Sequence, residues 1–199
     1  MTRYVVGVTG GIASGKTNIT DALKAIGAHV IDADEISRSL TVPGGKALPL
    51  IRKAFGDQVF SGENLDRKML GQLIFSDAGK RETLNALMHP MILKETWEAV
   101  ERQEGIVFVS APLLYELGME KKCHEVWCTY IPHEEQVTRL MHRDQISALD
   151  AEKKIASQMP AEEKMRRANL VINTLGTKEE SARLALRAYQ RLQEKLQNP

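Results

Sequence analysis

The segment Gly10-Gly11-Ile12-Ala13-Ser14-Gly15-Lys16-Thr17 fits the pattern G-x-x-x-x-G-K-[ST]. An apolar run, Tyr4 to Thr9, stands directly before it, and the helical pattern Ile19, Ala22, Leu23, Ile26 stands directly after it. Strand, glycine-rich turn and helix start are the context that a phosphate-binding P-loop requires. Gly10 and Gly15 allow backbone conformations that a Cβ would obstruct and let the chain approach a polyphosphate. Backbone N–H groups of Gly11, Ile12, Ala13, Ser14 and Gly15 then converge on phosphate oxygens, and the opening helix adds its positive end. Lys16 supplies a mobile charge for the outer phosphates. Thr17 is placed to ligate Mg²⁺, and Asn18 follows beside the nucleotide. The expected ligands are therefore a nucleoside triphosphate and Mg²⁺.

That turn fixes the first βα unit, and further apolar runs repeat the pattern. His29–Ile31, Ile106–Ala111, Val126–Ile131 and Leu170–Ile172 read as strands separated by helical stretches. The expected fold class is α/β, three layers deep: a five-stranded parallel sheet with helices on both faces. The first helix is expected over Lys16–Ile26 with Gly27 as its stop, and the last over Lys178–Leu196. Roughly 74 residues separate the second and third strands, too many for one crossover helix. They read as several helices, one near Ala47–Phe55, one capped by Asp66, and one that His89-Pro90 starts and that reaches about Gln103. The whole chain, 1–199, is expected to form one domain with a helical lobe over about 35–104 and a lid over about 139–167.

Composition excludes more than it assigns. Apolar residues make up 43% and charged residues 27%, and the net charge is +1. A broad nucleic-acid or membrane surface is not expected on that charge. No charged-then-apolar leader and no apolar stretch near 18 residues stands out, so a cytoplasmic chain is expected. Cys123 and Cys128 match no metal-ligand spacing, and Cys128 reads as a small buried hydrophobe. Basic residues gather between Glu134 and Arg167, most of them expected on solvated helix faces. Arg139 and Arg143 differ, because their i, i+4 spacing puts two guanidinium groups on one face after the fourth strand. There they can close over bound phosphates.

Asp32-Ala33-Asp34 follows the second strand, where ligands bind in open α/β sheets. If the strand continued, the two carboxylates would share a side. One reading makes Asp34 the acceptor of a proton from an attacking hydroxyl, with Asp32 capping a helix near Glu35 or holding Mg²⁺ through water. The other makes both of them caps.

Several segments together resemble the dephospho-CoA kinase family. They are Val8–Lys16, Val30–Asp34, Leu65-Asp66-Arg67, His89-Pro90, Pro112-Leu113-Leu114-Tyr115-Glu116, Arg139–Asp144 and Gln158-Met159-Pro160. They fall in the family's order and span essentially the whole chain. The resemblance implies a P-loop kinase fold with an acceptor-binding helical insertion and a lid. It implies ATP-dependent phosphorylation of the ribose 3′-hydroxyl of dephospho-CoA, the final step of coenzyme A synthesis, with Mg²⁺. Catalytic roles are implied for Asp34, Lys16 and Arg143, and ATP contacts for residues 11–18 with Arg139 and Arg143. Acceptor contacts are implied for Thr9, Asp34, Arg67, His89, Leu114 and Glu116. The expected partners are ATP and dephospho-CoA, without nucleic acid or membrane, in a monomer or small homo-oligomer. Four positions depart from the family's usual residues: Ala13 where glycine is common, Asn18 where a hydroxyl residue is common, Lys154 where arginine is frequent, and Asn169 where aspartate is typical. Two other readings remain: a nucleoside or nucleotide monophosphate kinase on the same scaffold, and a nucleotide-dependent switch without an acceptor.

Overall fold

A computed structural model describes residues 3–198. In chain order the elements are β1 (Tyr4–Gly10), α1 (Lys16–Ala25), β2 (His29–Asp32), α2 (Ala33–Ser39), α3 (Leu48–Phe55), β3 (Phe60–Ser61), β4 (Asn64–Leu65), α4 (Arg67–Ser76) and α5 (Ala78–Glu101). They continue with β5 (Ile106–Ser110), β6 (Glu125–Tyr130), α6 (His133–Asp144), α7 (Ala148–Ala156), α8 (Ala161–Arg167), β7 (Leu170–Asn173) and α9 (Lys178–Gln197). The chain divides into two compact units: one takes the chain up to Ile31 and from Gln103 onward, the other takes Asp32–Arg102.

The first unit carries the sheet, in the order β2-β5-β1-β6-β7. β1 pairs in parallel with β5 (Val6 opposite Phe108) and with β6 (Val8 opposite Trp127), and β6 pairs in parallel with β7. Parallel strands covered on both faces must be apolar throughout, which is why β1, β5 and β6 read as continuous Val- and Phe-rich runs. Val6, Val8, Phe108, Trp127 and Ile172 form one buried cluster with Ile19 and Leu23 of α1 and Ala185 and Leu192 of α9. Phe108 meets Trp127 and Tyr189 edge-on, at centroid distances of 5.2 and 5.6 Å. The five expected strands and both terminal helices are present. Gly27, at φ 82°, ends α1: its N–H donates to the Lys24 carbonyl, and the Ala28 N–H donates to that of Leu23.

The second unit is helical apart from the antiparallel β3–β4 hairpin, whose two-residue loop begins with Gly62 at φ 61°. α2, α3 and α4 each pack on α5. Asp66 caps α4, accepting from the N–H groups of Lys68 and Met69 at 3.0 and 2.9 Å. The expectation that His89-Pro90 starts a helix is overturned. α5 begins twelve residues earlier, at Ala78, capped by Asp77, and runs through Pro90. An interior proline costs about 3 kcal/mol. Burial of Met88, Ile92, Thr96 and Val100 along α5 offsets it.

Among the described residues no helix is long and apolar enough to cross a membrane. Cys128 is buried in β6, as its sequence context indicated, and burial pushes its thiol up to about 11 and that of Cys123 to about 12.

Candidate active site

The glycine-rich turn closes between the end of β1 and the start of α1, and its glycines serve different ends. A Cβ on Gly10 would lie 2.1 Å from Thr129 Oγ1 and 2.5 Å from Ser14 Oγ. Gly10 is thus required by packing against β6, a reason the sequence reading of backbone freedom and close approach did not contain. Gly15 has φ 84° immediately before α1, the left-handed conformation that glycine adopts without strain. Ala13 adopts φ 60°, which costs an L-residue about 1–2 kcal/mol. Strain held in a functional turn requires neighbours that over-determine it. Those neighbours are side chains around the loop: Gln136 Nε2 donates to the Ile12 carbonyl at 2.8 Å, Thr174 Oγ1 to the Ser14 carbonyl at 2.6 Å, and Ser14 Oγ meets Thr129 Oγ1 at 2.7 Å.

The start of α1 differs from the starts of the other helices. Helices α2, α4, α5, α7 and α9 begin on a side-chain cap, and α3, α6 and α8 have proline at their first positions or cap. α1 has neither, and no acidic residue in its first turn. Its start therefore lacks the side-chain oxygen or the proline that serves the starts of the other helices. Lys16 Nζ donates to Ser110 Oγ at the end of β5, 2.5 Å away. Thr17 is exposed at the second position of the helix. Asn18 turns aside, donating from Nδ2 to the Lys178 carbonyl at 2.8 Å, so it fastens α1 to α9.

Arg139 and Arg143 lie on α6 as their spacing requires, but each is already engaged. Arg139 is ion-paired with Glu135 at 3.0 Å and donates to the Thr174 carbonyl at 2.9 Å. Arg143 grips the Asp144 carboxylate with two nitrogens, at 2.8 and 3.3 Å, and Lys154 reaches the same carboxylate at 2.7 Å. The Arg143 hydrogen bond, with that of Lys154, holds the Asp144 carboxyl down to about 2. A depressed carboxyl stabilises the fold above its unfolded value near 4 and loses that contribution as pH falls toward 2. Asp144→Asn should therefore lower the melting temperature at pH 7 and leave it unchanged near pH 2. An equal drop at both pH values, in thermal melts across that range, would contradict the ionic assignment.

Basic residues around the last strand are not all solvated. Lys164 is fully buried, with Nζ 2.8 Å from Glu116 Oε1 and bonded to the Pro112 carbonyl. Glu116 also accepts from the Met159 N–H at 2.9 Å. Thr9 is fully buried and donates to the Pro112 carbonyl at 3.3 Å, and Leu114 is fully buried where a Cβ on Gly7 would meet it at 2.8 Å. Thr9 and Leu114 are thus enclosed, and the Glu116 carboxylate is shared between Lys164 and the Met159 N–H. Asn169 accepts from the Val126 N–H at 2.7 Å through its amide oxygen, so the charge of an aspartate is not needed there.

In the second unit, α2 starts at Ala33, directly after β2, so Asp32 and Asp34 do not share the side of an extended strand. Asp32 is the cap: Oδ1 accepts from the N–H groups of Asp34 and Glu35 at 2.8 and 3.2 Å. Asp34 stands at the second helical position and does not serve as the cap. Arg67 donates to Thr41 Oγ1 at 2.8 Å, and burial lowers the pKa of His89. Gln136, Thr129, Thr174 and Ser110 escaped the sequence reading, because single polar residues in an apolar strand or on a charged helix carry no spacing signal. Lys164 was visible only as one of several basic residues.

The sequence profile of the dephospho-CoA kinase family (CoaE) matches residues 4–180. A dephospho-CoA kinase of Geobacter sulfurreducens is 43% identical over 185 residues, covering 90% of this chain and 93% of that protein. The crystal structure of TT1252 from Thermus thermophilus superposes with a TM-score of 0.81 at 32% identity, covering 96% of this chain and 98% of that one. A dephospho-CoA kinase from Campylobacter jejuni shares the fold, with a TM-score of 0.65 at 24% identity and 95% and 97% coverage. With its glycine-rich turn built at the end of β1 and the family profile spanning residues of both compact units, the chain belongs to the dephospho-CoA kinase family.

Proposed function

We propose that this protein transfers the γ-phosphoryl group of ATP to the ribose 3′-hydroxyl of dephospho-CoA, yielding coenzyme A and ADP in the cytoplasm. The observation that carries the reading is a family match that runs from β1 to the first residues of α9 and so spans residues 10–18. Gly11, Ile12, Ala13 and Gly15 offer backbone N–H groups, that of Ser14 being donated to the Gly11 carbonyl at 3.1 Å; the start of α1 adds its positive end, and Lys16 balances the outer phosphates. The exposed Thr17 hydroxyl, next to Lys16 on an uncapped helix start, suits a hydrated Mg²⁺. Mg²⁺, when bound with ATP, neutralises charge on the β- and γ-phosphates. Asp32 caps α2 through Oδ1 and contributes to Mg²⁺, if at all, through water.

Asp34 orients the attacking hydroxyl and takes up its proton as the phosphoryl group moves in line. Arg139 and Arg143 contribute positive charge from α6, and the 139–167 segment excludes water that would otherwise accept the phosphoryl group. Arg67 and His89 of the second unit serve the acceptor, His89 as a donor or acceptor of hydrogen bonds. ADP release from Mg·ATP tests the reading directly. It should rise strongly with dephospho-CoA and not with adenosine or AMP. Stimulation by either of those controls instead would reassign the acceptor. Lys16→Ala should weaken ATP binding and turnover by about 10–100-fold, the worth of one hydrogen bond to a charged group. Unchanged kinetics in that variant would remove Lys16 from the site.

A further inference from the structure

The hydrogen bonds that surround the glycine-rich turn point to a second set of residues for the same site. Gln136, almost fully buried on α6, donates to the Ile12 carbonyl at 2.8 Å, and Thr174, also buried just beyond β7, donates to the Ser14 carbonyl at 2.6 Å. Tyr130 O lies farther from the same hydroxyl, at 3.3 Å, so the single Thr174 proton goes to Ser14. These two carbonyls flank Ala13, the strained residue of the loop. A trans peptide unit is planar and points its C=O and the following N–H in opposite directions. Among the described residues no peptide bond is cis. Drawing the Ile12 carbonyl outward therefore turns the Ala13 N–H inward, and drawing the Ser14 carbonyl outward does the same for the Gly15 N–H.

We infer that Gln136 and Thr174 are positioning residues for the triphosphate: by gripping two outward carbonyls they hold two inward N–H donors in place before ATP arrives. This rests on the reading of residues 10–17 as the ATP-phosphate site. Preorganised donors avoid an ordering cost at the moment of binding, so the gain appears as affinity for ATP. The gripping groups fit closely. The Gln136 amide nitrogen sits 2.5 Å from where a Cβ on Gly11 would stand, so Gly11 is small because the amide occupies that space. Arg139, one turn along α6 from Gln136, donates to the Thr174 carbonyl at 2.9 Å, so one helix braces both grips.

Gln136→Met and Thr174→Val keep side-chain size and remove the donor. Each should raise the KM for ATP about tenfold, the effect of leaving one buried carbonyl unpaired. The KM for the acceptor should stay unchanged and kcat should remain within about threefold, as expected when a grip acts on ground-state and transition-state binding alike. Thr174→Ser retains the hydroxyl and should keep the KM for ATP within about twofold of wild type. An unaltered KM for ATP in both donor-deleted variants would overturn the inference, as would Thr174→Ser behaving like Thr174→Val. Amide hydrogen exchange of the ligand-free protein decides the point even if the nucleotide reading itself failed. Residues 12–15 should exchange faster in Gln136→Met and Thr174→Val than in wild type, and equal protection would refute the grip.

Discussion

Exchange of Asp34 for Asn is expected to lower acceptor-dependent turnover by about 10²–10⁴-fold, the usual contribution of one positioned general base. ATP binding should stay close to wild type, because a general base acts on the attacking hydroxyl and not on the phosphates. The local geometry separates this role from a merely structural one. Asp32 already accepts the N–H groups of Asp34 and Glu35, so the start of α2 does not depend on Asp34 as a cap. Asp32→Ala provides the contrast: it should cost about 1 kcal/mol of stability, the value of an N-cap, with a far smaller loss of turnover. Steady-state kinetics and thermal melts of the two variants decide the matter. Near-normal turnover in Asp34→Asn would make Asp34 an ordinary first-turn residue and leave the base unassigned.

The largest stability effect is expected at Glu116. Its carboxylate is the counter-charge of Lys164, whose side chain is 0% exposed while that of Glu116 is 23% exposed. Glu116→Leu would leave a buried ammonium with only the Pro112 carbonyl and strip the Met159 N–H of its acceptor. Removing one partner of a buried pair costs about 3–5 kcal/mol, against a total stability of about 5–15 kcal/mol. The melting temperature should then fall by about 6–20 °C for a chain of this length. The double variant Glu116→Leu, Lys164→Met removes both charges and should recover most of that loss. Additive losses in the thermal melts would contradict the buried-pair account. The same double variant tests the acceptor role that the family resemblance implied for Glu116. An unchanged KM for the acceptor in the recovered protein assigns Glu116 to the framework.

The elements that were legible in the sequence are those whose physics is local. Strands buried on both faces appear as short unbroken apolar runs, so β1, β5 and β6 could be read with their boundaries nearly right. Gly15 before α1 and Gly27 after it mark conformations that other residues adopt only under strain. The start of α5 was misread because the proline rule is a statement about preference, whereas Pro90 is carried inside the helix by burial of Met88 and Ile92. β3 and β4, at two residues each, are too short to show alternation.

The candidate site divides along the same line. Lys16, Thr17 and the loop backbone follow from spacing alone. The difference between Asp32 and Asp34 required knowing that the chain turns helical at Ala33. Gln136, Thr174 and Lys164 act through partners 124, 160 and 52 positions away in the chain, which no local pattern encodes. Gly10 follows the same rule, since Thr129, brought alongside by β1–β6 pairing, is what excludes a Cβ.

The most direct test of the central claim is the structure of the product formed from Mg·ATP and dephospho-CoA. Phosphorus NMR of the reaction mixture should show one new phosphomonoester on the ribose 3′-oxygen, formed in step with ADP. ADP accompanied only by inorganic phosphate, or a phosphoryl group on any other hydroxyl of the acceptor, would contradict it.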